Sequence, residues 1–219
     1  MMPSLRTMDV NRLSGAALLY MLRPPHSLQW QEIHIVREID DELATELSTL
    51  PTLTKLGTIS CRSVAFLPAL TRLRSLELWM DSEARLSADI VAGLPSCSQL
   101  TELMLRNAAD VTSRDLSQAL PHLSQLRELD LVSCRALDSL SFLSECSGLS
   151  QTLHILWLVD CLSPALHSTE LKHVMTLKSL TEIKVDSSFA EPLDELSQHL
   201  FTPPTAALPN LVHFAYVRD

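Results

Sequence analysis

The sequence predicts an α/β solenoid, a curved horseshoe with a parallel β-sheet on its concave face and helices and turns on its convex face. Three observations predict this fold class. An apolar pattern recurs along most of the chain, its copies keep a nearly constant spacing, and stretches of helical character ending at prolines separate several of them. Short strand-and-helix units of this kind stack side by side, and each buries its apolar face against its neighbours.

The apolar pattern is L-x-x-L-x-x-L-x-L with conservative replacements. Its last two apolar positions are two residues apart, so they point to the same side of a short strand. With the penultimate apolar position as a phase marker, five of the seven steps are 26 or 27 residues, a regularity that leucine richness alone would not produce. The eight markers are Ile33, Ile59, Leu76, Leu103, Leu129, Leu156, Ile183 and Phe214.

Each repeat must return to the start of the next strand. We predict that helices over residues 87–94, 113–120 and 168–175 make this return, each opened by a serine suited to capping free backbone N–H groups. The 17-residue step from Ile59 to Leu76 is too short for a helix, so we expect a tight turn or a single 3₁₀ turn there. The long final step contains residues 201–206, which we expect to form a protruding loop.

The repeats define the domain organisation. Residues 30–219 are predicted to form one domain of about eight repeats. Residues 1–29 contain an apolar run at positions 16–22 with arginines on both sides, which predicts an N-terminal cap or, alternatively, a targeting segment. Because the run is shorter than the roughly 20 residues of a membrane span, we expect no membrane association.

Composition and charge disfavour several classes of function. A net charge of −9 repels phosphate backbones, so direct nucleic-acid binding is not expected. With only four glycines, the chain has no glycine-rich phosphate loop. The five cysteines are an odd number without a C-x-x-C pair, which indicates neither a disulfide framework nor a metal site. We therefore predict no cofactor, and reduced thiols in an intracellular, cytoplasmic protein, with the mitochondrion as the alternative.

The cysteines also follow the repeat. Cys134 and Cys161 stand three positions after the last strand leucine, and Cys97 and Cys146 come just before a leucine run. Residues 110–116, Asp-Val-Thr-Ser-Arg-Asp-Leu, are similar to an I-T-D-x-G-L helix opening. Together with the repeat length, these features resemble the cysteine-containing class of leucine-rich repeats, seen in F-box proteins and other eukaryotic intracellular proteins. The resemblance covers about residues 30–217 and implies a leucine-rich-repeat solenoid that binds proteins, although the residues before Trp30 are too few for an F-box.

Residues beside and between the last two apolar positions of a repeat point away from the core, onto the concave face. Around the marker Ile59, for example, the pattern assigns Thr58, Ser60 and Arg62 to this face. Side chains at such positions are available to contact a partner.

Two tryptophans occupy concave positions. Trp157 lies between Ile155 and Val159 in an apolar row on one strand, and large aromatic side chains often anchor interfaces. Trp79 is the second, with the alternative that it ends its strand and covers a repeat edge. The predicted partner-binding residues are Trp157, Ile155, Val159, Trp79, Glu77, Glu102, Met104, Glu128, Asp130, Glu182 and Lys184.

Acidic side chains surround the apolar row. Because neighbouring strands lie about 4.8 Å apart, these acids would share one continuous surface. Such a surface suits a partner protein with a basic surface, and charge would govern association rate and selectivity. Alternatively, the acids only keep an exposed sheet soluble. They are Glu77, Glu102, Glu128, Asp130, Glu182 and Asp186.

We predict no catalytic site, and therefore that the protein is not an enzyme. His154, Asp160 and Cys161 form the tightest local group of catalytic residue types, but the repeat turns Cys161 into the core. Glu128 and Asp130 share a face, yet paired carboxylates also need a cleft and a raised pKa for glycoside hydrolysis.

The sequence therefore predicts a protein-protein interaction scaffold that binds through its concave face, with substrate recognition in a larger assembly as one form of this role. The alternative is a structural subunit of a large mitochondrial or ribonucleoprotein complex, held by its edges. The last repeat ends at residues 214–219 without a polar terminal helix, so we expect its edge to contact a partner or a further chain.

Overall fold

A computed structural model describes residues 6–9, 14–23, 30–81, 85–161, 170–186 and 208–217. Within these residues, nine strands form one sheet in chain order, and every neighbouring pair is parallel. Each repeat thus adds one strand beside the previous one, as in a solenoid. The strands are β1 (Thr7–Asp9), β2 (Glu32–Ile39), β3 (Lys55–Cys61), β4 (Ser75–Trp79), β5 (Glu102–Arg106), β6 (Glu128–Val132), β7 (Ile155–Val159), β8 (Glu182–Asp186) and β9 (His213–Val217).

Short helices and 3₁₀ turns connect the strands and form the second layer. Packed helices need 8–10 Å between axes, roughly twice the strand spacing, so the sheet takes the inner, concave side of the stack. The predicted fold class is confirmed. The helices are α1 (Gly15–Leu22), α2 (Asp41–Leu47), α3 (Ser87–Gly93), α4 (Ser113–Ala119), α5 (Ser141–Glu145), α6 (Leu149–Thr152) and α7 (Leu171–Val174), and the 3₁₀ turns are Leu67–Ala69, Leu94–Ser96 and Leu120–His122.

The predicted helices at residues 87–94 and 113–120 are confirmed as α3 and α4, but their serines are not the caps. Thr112 caps α4 through a reciprocal capping box with Asp115. Ser113 is instead buried, and its hydroxyl donates a hydrogen bond to the carbonyl of Ser139 in the next repeat. The Asp110 carboxylate accepts a hydrogen bond from the N–H of Ser87, so the following repeat stabilises the start of α3.

The short connection before β4 holds the 3₁₀ turn Leu67–Ala69, which confirms the turn expected there. The three 3₁₀ turns named above, all within the described residues, carry a proline early in the turn, and two of them directly continue α3 and α4. Of the helix predicted at 168–175, the described part is α7. The loop predicted at residues 201–206 lies outside the described residues.

The register of β3 differs from the predicted one. Leu56, not Ile59, pairs with Leu76 of β4 and Ile33 of β2. Up to Thr58 the strand is therefore shifted by three residues relative to the prediction, and an odd shift exchanges the two faces of that part. Thr58 consequently lies inside and is fully buried, while Lys55 and Gly57 take the concave positions that had been assigned to Thr58 and Ser60. After Thr58 the register with β2 changes, and Cys61 is buried as predicted.

The described N-terminal residues extend the sheet and its core. β1 adds a parallel strand beside β2, before the first strand that the repeat pattern predicts. Leu18 and Leu22 of α1 are fully buried in the same apolar core as the repeats. The boundary at residue 29 and the targeting alternative stay predictions. Within the described part of the chain, no helix is long and apolar enough to cross a membrane.

All five cysteines are buried and unpaired. The thiols of Cys134 and Cys161 donate hydrogen bonds to the carbonyls of Leu105 and Leu131 in the preceding repeats. Burial raises the pKa of the Cys61 thiol to about 12. The buried thiols therefore fill space between repeats, and the raised pKa of Cys61 makes that thiol a poor nucleophile.

Candidate protein-binding face

The side chains of β4 to β8 that point out of the core form three rows across the concave face, one residue per strand in each row. The eleven predicted partner-binding residues all lie in these rows. Their role as partner contacts stays a prediction. The first row is Ser75, Glu102, Glu128, Ile155 and Glu182, the second row is Glu77, Met104, Asp130, Trp157 and Lys184, and the third row is Trp79, Arg106, Val132, Val159 and Asp186.

The Trp157 cluster consists of Trp157, Glu182 and Lys184. The indole N–H of Trp157 donates a hydrogen bond of 3.1 Å to Glu182 Oε1. The Lys184 ammonium lies over the ring, 4.3 Å from its centre, within the range of a cation–π interaction. The ring is therefore half-buried and held in place, where the sequence pattern predicted a freely exposed side chain.

The Trp79 cluster, made of Trp79, Glu77 and Arg106, has the same two kinds of contact, but its acid lies on the tryptophan's own strand. The indole N–H of Trp79 donates to Glu77 Oε1 at 2.8 Å, and the Arg106 guanidinium carbon lies 4.8 Å from the ring centre. Trp79 is the last residue of β4, and the alternative that it covers a repeat edge stays a prediction. Sequence reasoning missed the cation over each ring, because a register between neighbouring strands is needed to see it.

The first row places like charges side by side. Glu102 and Glu128 face each other in register on β5 and β6. Burial raises the pKa of Glu128, and the charges of Glu102 and Glu182 raise it further, while Lys55 opposes them. Like charges directly opposite on neighbouring strands are destabilising, so this row holds negative charge at a cost to the free chain.

Asp130, at the centre of the second row, is fully buried, which corrects its predicted place in an exposed acidic band. It has the shortest side chain of the row, and it lies in register between the longer side chains of Met104 and Trp157. Within the described residues, neither carboxylate oxygen has a hydrogen-bond partner. Burial, and then the charge of Glu128, raises the pKa of Asp130 to about 7, against the opposing charges of Arg106 and Lys184.

Asp186 is also buried, so it too leaves the predicted acidic band. Its carboxylate accepts a hydrogen bond from the backbone N–H of Asp160. Asp160 follows β7 with a φ of 50°, the left-handed conformation that aspartate tolerates better than most residues. Asp186 therefore stabilises the turn at the end of the neighbouring strand.

The apolar part of the face lies on β6 and β7. Ile155, Trp157 and Val159 are half-buried on one strand, and Val132 lies beside Val159 on the next. The apolar row that the sequence predicted along β7 is thus present. Its Ile155 end lies between two acidic side chains, Glu128 on β6 and Glu182 on β8.

The two groups weighed as catalytic do not assemble a site. His154 contacts the carbonyl of Thr152, the Asp160 carboxylate accepts from Ser133 and Arg135, and Cys161 is buried. Glu128 and Asp130 alternate with Leu129 on one strand, but Asp130 is covered. Among the residues that the structure describes, no group of three or more His, Cys, Asp or Glu side chains could hold a metal ion.

On the convex side, the structure brings together a serine, a histidine and a glutamate that the sequence did not suggest. Ser144 Oγ lies 2.8 Å from His173 Nδ1, and His173 Nε2 lies 3.7 Å from Glu170. However, Ser144 also donates to the carbonyl of Ser141 in its own helix, and Glu170 accepts from Ser139 and from the backbone of Leu140. The serine proton is thus engaged by a carbonyl, so the group joins repeats and does not form a nucleophile–base pair.

The solved structures to which this chain is similar include two leucine-rich-repeat proteins, each at 14% sequence identity. The leucine-rich-repeat-containing protein LegL7 from Legionella pneumophila aligns over 97% of this chain and 91% of its own, with a TM-score of 0.39. The leucine-rich-repeat protein LIC12759 from Leptospira interrogans aligns over 99% and 71%, with a TM-score of 0.35. No protein-family model and no curated protein matches the chain.

The class of protein therefore follows from the chain's own architecture. Each leucine-bearing repeat contributes one parallel strand and returns through a helix or a turn. This architecture is that of a leucine-rich-repeat solenoid. Membership of the cysteine-containing class, and the eukaryotic or F-box affiliation, stay predictions.

Proposed function

We propose that this protein is a non-catalytic interaction module that binds a partner protein through the concave face of β4 to β8. The partner presents a basic surface around an apolar anchor. The observation that carries the proposal is the in-register pair Glu102 and Glu128 beside the apolar row of β7.

The charge arrangement favours a basic partner. Facing glutamates destabilise the free sheet, and partner cations placed between them would offset this repulsion. The net charge of −9 attracts the same partner at longer range and repels nucleic acid.

Trp157 supplies the anchor. Its ring is already held by Glu182 and Lys184, so little side-chain entropy is lost when a partner packs against it. Tryptophan at the centre of an interface, with a polar surround, is typical of a residue that contributes much of the binding energy.

The test is affinity purification from the source cells, followed by mass spectrometry and by binding assays with each purified candidate. Trp157→Ala and Glu128→Gln should each weaken a direct partner at least about tenfold. The matched controls are Tyr20→Ala, an exposed aromatic of α1, and Asp138→Asn, an exposed acid outside the sheet. Both controls should leave binding unchanged.

The alternative, a structural subunit held by its edges, gives the opposite result in the same assay. Such a subunit would keep its partners in the Trp157→Ala and Glu128→Gln variants, and that outcome would reject the concave-face proposal. We also propose an intracellular, cytoplasmic location, supported by the unpaired state of all five cysteines. Fractionation of the source cells tests it, with the mitochondrion as the alternative.

A further inference from the structure

The buried carboxylate of Asp130 is the feature of the concave face that the free chain leaves least satisfied. The side chain has no exposed surface, and neither oxygen has a hydrogen-bond partner within the described residues. A buried polar group without partners is costly, and the cost is larger for a charge. A ligand that brings donors to these oxygens would therefore gain more here than at an exposed acid.

The protein's own cations do not satisfy Asp130. Arg106 on β5 stacks on Trp79 and donates its Nε–H to the Met104 sulfur, and Lys184 on β8 stacks on Trp157. Both act on Asp130 only through their charge.

The acids around Asp130 are Glu128 on its own strand, Glu102 on β5 and Glu182 on β8, and β7 contributes no ionisable side chain to the rows. His213 of β9 lies 3.6 Å from Glu182. Negative charge thus predominates on the first-row side of Asp130.

We propose that Asp130 is the acceptor for one arginine side chain of the partner, whose guanidinium enters between Met104 and Trp157 as the flexible Met104 side chain moves aside, and donates a hydrogen bond to each carboxylate oxygen. This inference rests on the proposed function. Arginine fits because its planar fork matches two free oxygens of one carboxylate, whereas a lysine ammonium can act only as a point charge. The flanking thioether and indole would pack against the two faces of the guanidinium.

The same site couples binding to a proton. In the free protein, the raised pKa of Asp130 leaves the carboxyl partly protonated near neutral pH. An arginine favours the ionised form, so binding releases the proton and strengthens as the pH rises through about 7. From about pH 6 to about pH 8, the affinity should increase about tenfold, since the fraction of ionised free carboxyl changes by that factor.

The experiment measures fluorescence anisotropy of labelled hexa-arginine, hexa-lysine and hexa-citrulline peptides at low salt. Wild-type protein should prefer hexa-arginine to hexa-lysine, bind hexa-citrulline weakly, and show the pH effect with hexa-arginine. Asp130→Asn should remove the preference and reduce the pH effect to less than about twofold. Glu102→Gln, the matched control, should weaken binding but retain the pH effect. His213→Gln should also retain the pH effect, which would exclude a contribution of that histidine.

A second measurement does not depend on any variant. In wild-type protein labelled with ¹³C at aspartate, the carboxyl carbon of Asp130 should titrate near neutral pH, and hexa-arginine should lower that midpoint. Suppose that Glu102→Gln and Trp157→Ala weaken the binding of hexa-arginine, but hexa-arginine leaves the titration midpoint of Asp130 unchanged. In that case the proposed arginine site is wrong, and the concave-face proposal stands. If no concave substitution affects binding, or no binding occurs, both proposals fail.

Discussion

The ammonium nitrogen of Lys184 lies 4.3 Å from the centre of the Trp157 ring, and the same ring donates its N–H to Glu182. Glu182 and Lys184 are two residues apart on β8, so one strand holds the tryptophan of its neighbour from two directions. In the Trp79 cluster the acid, Glu77, comes from the tryptophan's own strand and the cation, Arg106, from the neighbouring strand. The concave face therefore carries two fixed aromatic rings with two strands between them.

Lys184→Met tests whether the cation stabilises the Trp157 ring. Methionine keeps most of the length and removes the charge, so we expect the free energy of unfolding to fall by about 0.5–1 kcal/mol. Denaturant unfolding followed by tryptophan fluorescence measures it. Lys172→Met, at an exposed position of α7, is the control and should change stability by less than about 0.5 kcal/mol. Equal effects of the two substitutions would show that the stacking contributes nothing.

Asp130→Asn tests the buried carboxylate through the pH dependence of stability. The pKa of Asp130 is raised from 3.8 to about 7, so over this range the folded protein keeps a proton that the unfolded chain releases. The contribution of Asp130 to the free energy of unfolding of the wild-type protein therefore falls as the pH rises from about 4 to about 7. Above that range this contribution stays constant. Asparagine cannot ionise, so the variant escapes this loss. The amount by which its free energy of unfolding exceeds that of wild type should be about 2–3 kcal/mol larger at about pH 8 than at about pH 5.

The measurement is denaturant unfolding of both proteins at the two pH values. Asp138→Asn, which alters an exposed acid, should show no such difference between them. A gain for Asp130→Asn that is the same at both pH values would mean that Asp130 is ionised in the folded protein throughout, and that its carboxylate has a partner.

The free thiols give a prediction about reactivity. Burial raises the pKa of Cys97 and of Cys146 to about 11, and all five cysteines are buried. Native protein should therefore react with a disulfide reagent such as DTNB orders of magnitude more slowly than free cysteine, because all five thiols are inaccessible and the raised pKa of Cys97 and Cys146 makes their thiolates scarce. In guanidinium chloride, all five thiols should react at once. Rapid reaction of one native thiol would identify a local opening of the stack.

The sequence could predict the strands β4 to β8 and the set of residues on their concave side. Strict alternation makes the direction of each side chain follow from the leucine positions alone, so Trp157 and Glu128 were placed on the correct face. It could not predict that Asp130 is covered. Burial of a concave side chain depends on its neighbours in the row, here Met104 and Trp157, which come from repeats 26 and 27 residues away.

The register of β3 shows a different limit. The pattern fits this stretch twice, once with Leu56 and once with Ile59 as the penultimate apolar residue. In the first fit the polar residue Thr58 takes the last leucine position, whereas the second fit has an apolar residue at every leucine position. The number of apolar matches therefore favours the second fit. In the structure, Leu56 pairs with Leu76, and the flanking residues Lys55 and Gly57 pair with Ser75 and Glu77, so the first fit is the correct one.

Thr58→Val tests this register directly. In the structure, the Thr58 hydroxyl is fully buried and has no hydrogen-bond partner within the described residues. Valine has the same shape without the unsatisfied oxygen, so we expect it to raise the free energy of unfolding by about 1 kcal/mol. Thr101→Val is the matched control, because the Thr101 hydroxyl donates to the carbonyl of Arg74 at 2.9 Å and its loss should be destabilising. If the predicted register were correct, Thr58 would face solvent, and valine there would leave the unfolding midpoint within error of wild type.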